Sequence, residues 1–139
     1  MLFFMLIKKK FYSNGFLQKT VRLWLEDSLP HLSADEFFVL ALVTNEIIQN
    51  ILRYVYQGEE GKPILLTINV SDIKRLDVCI QDYGEPCHPQ RFLNQNHQPS
   101  EKGGMGLAIV KKNTLDFTIT ENAEGNLASF AFIPSSVKE

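Results

Sequence analysis

Apolar and polar positions along this chain change period several times, and each change predicts an element. Residues 2 to 11 read as a strand, and 13 to 28 as an amphipathic helix with Phe16, Leu17, Val21, Trp24 and Leu25 on one face, ending before Pro30. Ser33 followed by Glu36 forms a capping-box pattern that opens a second helix, running to about Tyr56. Along it Phe37, Phe38, Leu40, Leu42, Val43, Ile47, Ile48, Ile51, Leu52 and Val55 give the spacing of a largely buried helix.

Gly58 to Pro63 reads as a turn, and 64 to 70 and 76 to 81 as two strands of a hairpin. A polar loop, roughly 85 to 102, comes next; at that length in a small domain it is expected to be functional or disordered. Gly103-Gly104-Met105-Gly106 leads into a short helix over 107 to 112. Strands over 116 to 120 and 127 to 133 then close the chain, turning at Glu124-Gly125-Asn126. The order β-α-α-β-β-loop-α-β-β predicts an α+β two-layer sandwich, with a mixed, mostly antiparallel sheet covered on one face by three helices.

With 139 residues, 45% apolar and 11% aromatic, the chain supports one domain over 1–139, its core over about 1–134. The net charge of -2 and the lack of a basic stripe argue against a nucleic-acid partner. Lys8-Lys9-Lys10 comes after the apolar stretch Met1 to Ile7, the reverse of a signal peptide's charge order. That stretch is far too short to span a bilayer, so the reading is a cytoplasmic protein without a membrane partner. Cys79, Cys87, His31, His88 and His97 fall in no metal-ligand spacing.

Three polar signals interrupt the apolar pattern. Glu46 and Asn50 stand four apart, so one helical face brings their heads roughly 5 to 6 Å apart at Cβ. Asp82 closes a strand two residues before Gly84, where a carboxylate can accept from an amino group and a glycine lets a flat ligand approach. The glycines at 103, 104 and 106 precede a helix, where backbone N–H groups and the helix dipole favour an anion. Each alone has an ordinary reading too: a solvated helix edge, a plain β-turn, a hinge.

Together, in this order, the signals resemble the N, G1 and G2 boxes of the GHKL ATP-binding fold, over nearly the whole chain. Within that superfamily the chain looks most like the bacterial anti-sigma-factor serine-protein kinases. The resemblance rests on Glu46-x-x-x-Asn50 followed by Tyr54 and Tyr56, Gly-Gly-Met-Gly-Leu at 103 to 107, and the closing Phe130-Ala131-Phe132-Ile133-Pro134. Val43-Thr44-Asn45 mimics the end of the family motif one turn early; the frame with Glu46 and Asn50 satisfies more positions.

The resemblance implies that Asn50 ligates Mg²⁺ beside the ATP phosphates and that Glu46 is the general base for an attacking hydroxyl. It implies that Asp82 reads the adenine amino group above Gly84, and that Gly103, Gly104 and Gly106 hold phosphates. It further implies ATP-dependent phosphorylation of a serine on a small antagonist protein, a sigma factor as a further partner, and a homodimer using the first strand and the helix over 13 to 28. The alternative is an ATP-binding partner-switch module that transfers nothing or hydrolyses weakly. Pro86 stands where many members have glycine, Tyr54 replaces a frequent His, and Asn113 and Thr114 predict a frayed helix end. A histidine-kinase catalytic domain fits less well, because its motif has Asn where Glu46 stands.

Overall fold

A computed structural model describes residues 4–72, 74–86 and 106–137. Five strands form one sheet: β1 (Phe4–Tyr12), β2 (Pro63–Ser71), β3 (Arg75–Asp82), β4 (Leu115–Glu121) and β5 (Asn126–Phe132). Their spatial order is β1-β2-β3-β5-β4, and every pairing is antiparallel, so the mixed sheet expected from the sequence resolves to an antiparallel one. Among the described residues three α-helices accompany it: α1 (Leu17–Ser28), α2 (Ala34–Asn50) and α3 (Gly106–Asn113). α2 continues without a break into a π turn, Ile51–Val55. The predicted loop 85 to 102 lies mostly outside the described residues.

Alternation decides which face of each strand is covered. Ile64, Leu66, Ile68 and Val70 of β2 and Leu76, Val78 and Ile80 of β3 are fully buried, while the residues between them are not. Period-2 burial of this kind is what a sheet with one covered face requires. α1 contributes Leu17, Val21 and Leu25 to that core and α2 contributes Leu40, Val43, Ile47 and Ile48. β1 joins through Phe11, whose ring meets Trp24 edge-on at 5.4 Å. Phe16, expected on the buried face of α1, instead precedes the helix and is exposed.

α2 is built as its sequence predicts. Ser33 Oγ accepts from Glu36 N at 3.1 Å and Glu36 Oε1 accepts from Ser33 N at 2.8 Å, satisfying two amides that helix geometry leaves without partners. The helical run Ala34–Val55 is long and apolar enough by composition to cross a bilayer, a test that the central helix of a globular core also passes; here its Leu40, Val43, Ile47 and Ile48 are buried in the domain core. α3 does not fray. Asn113 Nδ2 donates to Ile109 O at 2.8 Å and Thr114 Oγ1 to Val110 O at 2.7 Å, so the two polar residues tie down the last turn.

Candidate nucleotide site

The site lies between α2, α3 and the ends of β3 and β5. Ile47, Asn50, Ile51, Ile80, Asp82, Leu107, Ile119, Asn126 and Ala128 line one cleft, apolar except for three polar heads. Helical geometry puts Asn50 there and not Asn45, since five positions turn about 140° round an α-helix. Asn45 lies instead on the outer groove between α1 and α2.

Among the described residues Asp82 is the deepest carboxylate, 1% exposed. Its Oδ1 accepts from Asn126 Nδ2 at 3.0 Å, Gly84 N at 3.1 Å and Asn126 N at 3.2 Å. No described residue donates to Oδ2, which leaves that oxygen for an amino group entering the cleft. Burial raises the Asp82 carboxyl above the ordinary value, and the bonds from Asn126 and Gly84 oppose that rise.

This arrangement depends on the closing turn that the sequence places at Glu124-Gly125-Asn126, held together by Asn122. Asn122 Oδ1 accepts from Gly125 N at 2.9 Å and Glu124 N at 3.0 Å, folding the β4–β5 connection. Asn122 Nδ2 in turn reaches Gln81 Oε1 at 2.7 Å, pinning the connection beside β3. A Cβ on Gly125 would run into the Asp82 carbonyl, so only glycine lets the turn close here. The turn delivers Asn126, 3% exposed, to Asp82. Its one sequence signal was a carboxamide opening a mostly apolar strand, Asn126-Leu-Ala-Ser-Phe-Ala-Phe.

Glu46 sits one turn before Asn50, and its carboxylate occupies the space into which a Gly106 Cβ would project. The predicted base and the start of α3 are therefore in direct contact. Burial raises the Glu46 carboxyl from its ordinary value, while the positive charge of Arg53 pulls it down. A partly desolvated carboxylate with a raised pKa is better suited to take a proton near neutrality than one in free water.

Gly84 has a different setting from the expected one. It does not line the cleft; the Val55 side chain and the Tyr56 ring fill the place of its missing Cβ. Packing against the helix is thus a reason for glycine there that requires no ligand. Gly103 and Gly104 lie outside the described residues. Among the described residues no group of three His, Cys, Asp or Glu side chains could hold a metal.

The model of one protein family, the histidine kinase-like ATPase domain, matches residues 17–132. The chain belongs to that family and is a GHKL-type ATPase domain. Among solved structures it is similar to the histidine kinase domain of the blue-light-activated histidine kinase from Erythrobacter litoralis EL346. The TM-score is 0.55 at 11% identity, covering 88% of this chain and 61% of that one. At that identity the likeness shows the fold, and this chain spans only 61% of the kinase domain's length. No curated protein matches by sequence.

Proposed function

We propose that this domain binds ATP with Mg²⁺ and passes the terminal phosphoryl group to a serine of a small antagonist protein, as an anti-sigma-type kinase. The observation that carries the reading is Asp82. It is a fully buried carboxylate with one oxygen held by three donors and the other turned to no described donor, in the same cleft as Asn50. Burying such a group costs several kcal/mol unless its site is used or its charge is met.

The adenine amino group donates to Asp82. Gly84 lets the Asp82 turn pack closely against Val55 and Tyr56, and Gly106 at the start of α3 serves the phosphates with its backbone N–H, a role that the resemblance extends to Gly103 and Gly104. Asn50 is suited to Mg²⁺ because this ion keeps most of its waters and needs few protein oxygens once phosphate is present. The residues present fit that demand, with the Asn50 carboxamide lining the cleft on α2. The ion supplies charge neutralisation on the phosphates when bound. Glu46 orients the attacking hydroxyl and accepts its proton. The serine oxygen then forms its bond to the terminal phosphorus as the bond to the ADP oxygen breaks.

A second reading, a partner-switch module that holds ATP without transfer, is favoured by one observation. The cleft measures about 20 Å³, room for roughly one water, whereas ligand sites run to about 300 Å³ or more. Nucleotide entry requires the walls to part, and transfer depends on how they close again. Glu46→Gln separates the readings. A kinase loses phosphoryl transfer by about 100-fold or more and keeps its Mg-ATP affinity; unchanged transfer in the variant contradicts the role of Glu46. A cytoplasmic homodimer with antagonist and sigma-factor partners completes the proposal. The exposed outer edge of β1, with Phe4 and Leu6 outward, supports the dimer, and a monomer mass by sedimentation would remove it.

A further inference from the structure

The π turn after Asn50 gives Tyr56 a place that an ordinary helix end would not. Tyr56 N bonds to Ile51 O at 2.9 Å, five residues back, and the extra residue in that turn rotates the positions after it. The ring is 4% exposed. Its hydroxyl donates to Pro63 O and accepts from Tyr83 N at 2.9 Å, so both of its hydrogen-bonding roles are taken. Tyr83 is the peptide between Asp82 and Gly84. On the other side of the same peptide, Gly84 presses against Val55 and the Tyr56 ring closely enough to exclude a Cβ.

We infer that Tyr56 is a positioning residue that acts through the Asp82–Gly84 turn, fixing the depth and aim of the Asp82 carboxylate and with them the preference for an amino-bearing purine. The phenol ties the turn to the start of β2 on one side and to the metal-side helix on the other. Asn126 ties Asp82 Oδ1 to β5 and Gly84 N closes the turn on itself, and neither bond reaches α2. Tyr56 fixes the turn relative to α2. Burial also raises the Tyr56 hydroxyl above its ordinary value, which keeps it protonated and able to donate near neutrality.

This inference rests on the proposed nucleotide site, and its test separates the two. Titration of wild type and Tyr56→Phe with Mg-ATP, and with the inosine triphosphate analogue that has an oxygen in place of the amino group, reads base preference directly. The expected result is an about tenfold loss of ATP affinity in Tyr56→Phe, the worth of about one hydrogen bond, with inosine triphosphate affinity unchanged. An equal loss for both nucleotides, or no loss for either, overturns the positioning role. A wild type that binds neither nucleotide overturns the nucleotide site itself. Should the variant fail to fold, amide exchange in the wild type decides: Tyr83 N–H is expected to be protected, and exchange at the rate of an open loop overturns the inference.

Discussion

At the scale of single residues, the buried Asp82 carboxylate sets function against stability. Its folded pKa lies above the ordinary value of 3.8, so between the two the folded chain holds more protons than the unfolded one. By linkage, the contribution is fully present below 3.8 and is lost as pH rises through the raised folded value. Asp82→Asn lacks that slope while keeping an acceptor for Asn126 and Gly84. The melting temperature of the variant relative to wild type should therefore climb as pH rises from 3.8 toward neutrality, and a pH-independent difference would refute the burial penalty. Asp82, Glu46 and Asn50 were legible in the sequence because each breaks an apolar period in a helix or at a strand end. Asn126 was not, because its importance arises only when a distant hairpin folds against β3.

Among the elements, α2 is the longest described helix and holds both Glu46 and Asn50, so its start and end set where those heads point. The start was legible: Ser33 and Glu36 spell a capping box, and the structure makes both of its bonds. Ser33→Ala should lower stability by about 1 kcal/mol in urea denaturation with an unchanged slope; a loss below a few tenths would mean that packing alone fixes the start. The end was not legible, since no residue pattern announces a π turn, and the α-helical reading ran through to Tyr56. That turn matters because it presses Val55 and Tyr56 onto Gly84. Likewise Asn113 and Thr114 predict a frayed helix end by sequence, yet their side chains bond back to the helix and secure α3.

For the whole molecule, strand alternation and helix spacing were enough to specify two layers, because burying one face of an antiparallel sheet requires that pattern. They could not specify the order β1-β2-β3-β5-β4, in which β5 inserts between β3 and β4. That insertion makes the site: it sets Asn126 beside Asp82 and brings the closing hairpin against the cleft. The cleft's small volume was equally beyond reach, since it depends on how Ile47, Leu107 and Ile119 meet across the layers. The central claim, that this cleft is a Mg-ATP site read by Asp82, is tested most directly by calorimetric titration of Mg-ATP into wild type and Asp82→Asn. Saturable one-to-one binding by the wild type is expected, weakened about tenfold or more in the variant as a hydrogen bond to a charged group is lost. Absence of binding by the wild type at millimolar ATP, or equal binding by both proteins, would contradict it.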